Sequence, residues 1–208
     1  MKTLILFLVL ATPSIAQLTM KDYERNVNMF WSEKFSQKEL NFEIPEVYYY
    51  SQSKPINTAC GLLSELNAHY CSADNNVYIS TDLMKMFSQK GMNISFFYGL
   101  ISHEYGHAVQ NQLGIKNDYS IESELQADCL AGIYFKQSHQ EGRVNINDAL
   151  TLHYFYKDVA DKYLTKNDIY KKGTHGTFEN RINAFKRGFE KGSVNACIQD
   201  YTFISSNR

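Results

Sequence analysis

The chain has 208 residues, 44% of them hydrophobic and 14% aromatic, which suits one globular domain with a sizeable core and excludes a disordered or fibrous chain. Lysine and arginine total 21 against 22 aspartates and glutamates, so the basic footprint that nucleic acid would require is absent. No block of like charge, internal repeat or low-complexity stretch interrupts the chain.

Residues 1–16 read MKTLILFLVLATPSIA. Lys2 supplies a basic start, Leu4 to Ala11 an apolar run, and Ser14-Ile15-Ala16 a small-x-small cleavage site, which together predict a secretory signal peptide and a mature chain starting at Gln17. The apolar run is too short to cross about 30 Å of hydrocarbon, so no transmembrane anchor is expected after cleavage, and the protein is expected to be secreted or periplasmic. Export changes the reading of the cysteines. Cys60, Cys71, Cys129 and Cys197 form an even set without any CxxC pair, which predicts two disulfides in one of three connectivities rather than a thiolate metal site. The short loop makes Cys60 with Cys71 the expected local pair, and Cys129 with Cys197 would then tie the second half to the C-terminal tail.

Thr19 to Asp22 has the form of a capping box with aspartate in place of glutamate, with Leu18 and Tyr23 placed as a hydrophobic staple. A helix is predicted to follow, with Val27, Phe30, Trp31 and Phe35 as its apolar stripe. Glu46 to Tyr50 is β-branched and aromatic like a strand, and Cys60-Gly61 falls in a turn-rich link. His69-Tyr70-Cys71 and Val77-Tyr78-Ile79 read as short strands joined through Ala73 to Asn76, which makes His69 a sheet residue, and residues 82–89 read as a helix.

The chemistry concentrates in Tyr98 to Gly114, YGLISHEYGHAVQNQLG. Phe97, Leu100, Ile101, Ala108 and Leu113 follow the helical period and Gly114 is placed to end the helix. His103 and His107, one turn apart on one face, can share a single ion, and two neutral imidazoles suit Zn2+. Glu104 lies about 100° around the helix from His103. It can therefore flank the metal as general base for a zinc-bound water. A third ligand is predicted in Ser120 to Asp128, where Glu124 and Asp128 are again four apart. Glu124 can complete a His2Glu set while Asp128 accepts a hydrogen bond from the non-ligating N–H of a zinc histidine. Glu122 and Glu124 would also favour a helix N-terminus. Asp128, however, sits among Leu125, Ala127, Leu130, Ala131 and Ile133, where an unpaired carboxylate is costly, so it should have a buried partner.

Further on, Asn145 can cap a helix reaching about Asp161. Thr177 can cap another, with Phe178, Ile182, Phe185 and Phe189 on one face and Gly192 at its end. His139 and His153 have no acidic or histidine partner at ligand spacing and read as surface or packing residues.

HEYGHAVQNQLG followed by ELQADCLAG resembles the putative neutral zinc metallopeptidase family, a bacterial group within the thermolysin-like gluzincins. Thr58-Ala59-Cys60-Gly61, Tyr70-Cys71, the Asp74 turn with Val77-Tyr78-Ile79, and Thr174-His175-Gly176-Thr177 with Arg181 follow the family's order, so the resemblance covers roughly residues 45–192. Ser72 stands where a proline is usual, the connection from His107 to Glu124 is short, and Lys157 to Tyr163 lacks the family's Gly-Asp-Asp. The resemblance implies a zinc-dependent peptidase with His103, His107 and Glu124 as ligands of one Zn2+ and Glu104 as catalytic base. It also implies a histidine or tyrosine downstream of the zinc helix that stabilises the oxyanion. Among His153, His175 and the tyrosines, His175 is the expected one, because Gly173 and Gly176 let the backbone approach a site and a helix N-terminus follows.

The expected fold is a single α+β zincin-like domain over residues 17–208, mostly helical, with a small mixed sheet beside the HExxH helix. The expected partner is a peptide or protein substrate. A zinc-binding interaction protein without turnover, or a zinc hydrolase acting on a non-peptide bond, are the alternatives. The intact Glu104 counts against the first, since a structural site has no need of a general base.

Overall fold

A reciprocal cap opens the first helix. Thr19 Oγ1 accepts from the Asp22 amide at 3.2 Å while Asp22 Oδ2 accepts from the Thr19 amide at 3.1 Å, and α1 runs from Met20 to Ser36. The computed structural model describes residues 19–92, 94–144, 157, 161 and 173–201. The predicted signal peptide, Leu18, His153 and all but residues 157 and 161 of the helix predicted from Asn145 lie outside them. Tyr23, Val27, Phe30, Trp31 and Phe35 are the buried face of α1, the predicted stripe. The Tyr23 ring stacks on Tyr98 with centroids 3.9 Å apart, and its hydroxyl meets Ser102 Oγ at 2.6 Å.

Five short strands follow: β1 Val47–Tyr50, β2 Ile56–Thr58, β3 Gly61–Leu63, β4 Ala68–Cys71 and β5 Asn76–Ser80. The main sheet has the order β1-β5-β4. β1 pairs parallel to β5 with Val47 opposite Val77, and β4 pairs antiparallel with Ala68 opposite Ile79, so the sheet is mixed and β4 is an edge. The predicted turn between β4 and β5 is set by Asp74, which accepts from the Asn76 and Ala59 amides and the Tyr78 hydroxyl, and by Asn75 at a φ of 57°. The β2–β3 hairpin replaces what the sequence suggested was a turn-rich link. Strands of three residues carry too little alternation to be read. Cys60 is bonded to Cys71, tying this hairpin to the end of β4, and Cys129 is bonded to Cys197. Both bonds follow the expected connectivity.

The helices are α2 Thr81–Gln89, α3 Ile94–Gln112, α4 Ser120–Gln140, α5 Phe178–Lys191 and α6 Val194–Asp200. The last is a single capped stretch of 7 residues, too short for its period to stand out in the sequence. Backbone contact sets the spacing of α3, α4 and α5. A Cβ built on Gly106 would lie 2.7 Å from the Ala127 carbonyl oxygen, one on Gly132 2.1 Å from that of Phe185, and one on Gly188 1.8 Å from that of Cys129. Three helices are thereby held closer than side chains would allow. The fold is α+β and mostly helical, as predicted, with the small mixed sheet beside α3. No helix among the described residues is long and apolar enough to cross a membrane.

Gly188→Ala is expected to destabilise the protein by about 1–3 kcal/mol through overpacking, despite the roughly 1 kcal/mol that Ala gains over Gly in a helix interior. Chemical denaturation measures it, and unchanged stability would show that α4 and α5 separate without cost.

Candidate metal centre

α3 presents His103, Glu104 and His107 along one side of a cleft of about 620 Å3, and α4 presents Glu124 across from them. The close approach of α4 at Gly106 is what brings Glu124 within reach. His103 Nε2 and His107 Nε2 are 3.1 Å apart, His103 Nε2 is 3.2 Å from Glu124 Oε2, and His107 Nε2 is 3.5 Å from Glu124 Oε1. Two ligands each about 2.0–2.1 Å from a tetrahedral zinc stand roughly 3.3 Å apart. The three observed separations bracket that value. Both Nδ1 atoms are engaged elsewhere, His103 with Asp128 Oδ1 at 2.8 Å and His107 with Gln110 Oε1 at 2.8 Å, which leaves the two Nε2 atoms for the cleft. Glu124 Oε2 is buried and makes no aligned hydrogen bond, His103 Nε2 and Arg181 Nη2 approaching it at 3.2 and 3.5 Å, so a cation in the cleft would satisfy this acceptor. Among the described residues, His103, His107 and Glu124 form a group able to hold a metal ion, and this donor set fits Zn2+.

The charges point the same way. Burial alone would lower the pKa of His103, but the Asp128 and Glu124 carboxylates outweigh it and hold it up at about 10. Burial would raise Glu124, yet His103 and His107 pull it well below the ordinary carboxylate value. Carboxylates set against the two histidines favour positive charge at this end of the cleft. Glu122, by contrast, turns back to the start of α4, where its carboxylate accepts from the Asp118 and Tyr119 amides at 3.1 and 3.2 Å. Glu104 is buried beside the histidines, and its Oε2 accepts from the Tyr70 amide of β4 at 2.8 Å.

Residues 14–200 match the family described as "Putative neutral zinc metallopeptidase". The chain belongs to that family. It is 30% identical over 189 residues to the uncharacterized protein YpfJ of Escherichia coli K12, covering 80% of this chain and 65% of the relative. It is likewise 30% identical over 174 residues to the uncharacterized proteins Mb2605 of Mycobacterium bovis and Rv2575 of Mycobacterium tuberculosis, covering 70% of this chain and 59% of each. The chain thus spans about two thirds or less of the length of these curated relatives. No solved structure matches it.

Within this metallopeptidase family chain, two supporting residues carry roles that the sequence did not assign, Arg181 having entered only through the family's motif order and Gln110 not at all. Arg181 of α5, only 2% exposed, holds Asp128 with two parallel bonds, Nε to Oδ2 at 2.7 Å and Nη2 to Oδ1 at 2.9 Å, and its Nη2 stands 3.5 Å from Glu124 Oε2. A signal existed: Arg181 shares the helix face of Phe178 and Phe185, and a charge on an apolar face implies a buried partner. Gln110, one turn past His107, had only its spacing to mark it. His175 lines the same cleft with its side chain half exposed. Asp161 fixes its turn, Oδ2 accepting from the His175 and Gly176 amides at 2.8 and 3.0 Å. His69 also lines the cleft, from β4, but stands outside the metal-binding group, and His139 is exposed near Val144.

Arg181→Leu removes the cation from a fully buried carboxylate, and the expected loss is about 3–5 kcal/mol in chemical denaturation. A loss below about 1 kcal/mol would show that Asp128 does not depend on that cation.

Proposed function

We propose that this protein is a secreted zinc-dependent metallopeptidase that hydrolyses peptide bonds with an activated water and no acyl-enzyme. The observation that carries the reading is the convergence of His103 Nε2, His107 Nε2 and the Glu124 carboxylate next to a fourth group, Glu104, in one cleft. His103, His107 and Glu124 would hold one Zn2+, which when bound supplies Lewis acidity to the attacking water and the scissile carbonyl. Glu104 takes the proton from that water and passes it to the leaving amine. Its bond from the Tyr70 amide engages Oε2 and leaves Oε1 for the proton.

The edge of β4 supports a peptide as substrate. The Ser80 amide donates to the Asn67 carbonyl, so in the β4–β5 register the pairs His69 with Tyr78 and Cys71 with Asn76 bond across the ladder. The backbone of Ala68 and Tyr70 is thereby turned outward, and with the Tyr70 amide taken by Glu104, the outward groups of Ala68 are where an extended chain can begin to add as a further strand. His175 takes the role of hydrogen-bond donor to the tetrahedral oxyanion, with Asp161 holding its turn in place. The two disulfides suit the oxidising compartment to which the predicted signal peptide would deliver the chain.

Two experiments test this. Glu104→Gln is expected to keep zinc and lose cleavage of a peptide library, whereas replacing His103, His107 or Glu124 loses both and a chelator abolishes cleavage by the wild type. Near wild-type turnover in metal-loaded Glu104→Gln would sink the mechanism, and a wild type that cleaves only non-peptide bonds would sink the substrate class. His175→Ala is expected to lower kcat by roughly a hundredfold with KM and zinc content little changed. If it instead melts several degrees lower with kcat within a few-fold, the histidine only orders its turn.

A further inference from the structure

The side chain that bonds the second histidine is a neutral amide, and its orientation is forced. Gln110 is 4% exposed. Its Nε2 donates to the Ser123 carbonyl at 2.9 Å and to Gln126 Oε1 at 2.8 Å, while its Oε1 meets His107 Nδ1 at 2.8 Å and Ser123 Oγ at 3.2 Å. A backbone carbonyl can only accept, so the NH2 group of Gln110 must face Ser123 and its oxygen must face His107. Gln126, fully buried, is fixed by the same logic. Its Nε2 donates to Asn117 Oδ1 at 3.1 Å and to the Ile198 carbonyl at 3.4 Å, and its Oε1 accepts from Asn117 Nδ2 at 2.9 Å as well as from Gln110. Neither amide can flip without setting oxygen against oxygen. His107 Nδ1 must therefore carry the proton, and in the neutral ring, the form that binds a metal, Nε2 presents its lone pair to the cleft.

We infer that Gln110 is a positioning residue for the metal centre, fixing His107 as the Nδ1–H tautomer and aiming Nε2 beside His103 and Glu124. The inference rests on the zinc site proposed above. It also explains why the two histidines have unlike partners. Asp128 already places a buried negative charge behind His103, balanced by Arg181. A second carboxylate behind His107 would need a second buried cation, whereas an amide orients the ring and adds no charge to the interior. The chain Gln110–Gln126–Ile198 carries this constraint to α6, which the Cys129–Cys197 bond fastens to α4.

The test compares zinc affinity in the full chain by competition with a chromophoric chelator, for wild type, Gln110→Leu and Gln110→Glu. Both variants lose the donations to Ser123 and Gln126, so both are expected to be less stable than wild type. Only Gln110→Glu keeps an acceptor for His107 Nδ1. Positioning therefore requires that Gln110→Leu bind zinc about 10–100-fold more weakly than wild type, and clearly more weakly than Gln110→Glu, whose carboxylate keeps the acceptor for His107 Nδ1 at a cost in stability. Long-range 1H–15N spectra of the zinc-loaded wild type, which need no variant, should show His107 protonated at Nδ1. The inference is overturned if Gln110→Leu binds zinc within threefold of wild type, if both variants weaken alike, or if His107 Nδ1 carries no proton. A folded wild type that takes up no zinc would overturn the metallopeptidase reading itself, and this inference with it.

Discussion

A single buried carboxylate dictates how the helical half is assembled. Asp128 is fully buried in α4, and a lone charge there would cost several kcal/mol. Its two oxygens are shared between α3 and α5: Oδ1 meets His103 Nδ1 and Arg181 Nη2, and Oδ2 meets Arg181 Nε. Three helices are thus tied at one relative placement by bonds whose geometry tolerates little shift. The glycine contacts at Gly106, Gly132 and Gly188 permit that placement, and the charge network selects it among the packings that apolar surface alone would accept. Hydrophobic burial is non-directional; the directional constraint comes from this triad.

The same arrangement makes the cleft electrostatically one-sided. Glu124 and Asp128 stand against the guanidinium of Arg181, and their carboxylates hold the pKa of His103 up against the opposing effect of its burial. The sheet contributes the opposite wall. β4 is an edge of the sheet and lines the cleft with Ala68, His69 and Tyr70, its Tyr70 amide orients Glu104, and the Tyr70 hydroxyl takes a bond from Asn111 one turn beyond His107. Helix and edge strand are therefore pinned at two points along the cleft. The Cys60–Cys71 bond adds a covalent restraint at the end of this strand.

Much of this was legible in the chain itself. The α1 cap and stripe, the ends of α3 at Gly114 and of α5 at Gly192, and the β4–β5 turn follow from local signals, because caps, turns and helical periods are written in residues near one another. The H-E-x-x-H and E-x-x-x-D spacings placed their side chains on single helix faces for the same reason, and the demand of Asp128 for a buried partner could be read from its apolar neighbours alone. The sequence could not determine which partner. Arg181 is 53 residues from Asp128, Tyr70 is 34 from Glu104, and Gln126 is 16 from Gln110. Nothing periodic links such pairs, since only the meeting of separate elements brings them into hydrogen-bond range. The three-residue strands of the β2–β3 hairpin and the short α6 also escaped notice, for they are held by pairing, capping and a disulfide more than by any pattern of their own. The residue types of the candidate site were thus determined locally by the chain, whereas their separations, their charge balance and the orientation of each ring were decided by tertiary packing, because directional bonds between distant elements exist only once the helices and the sheet edge have met.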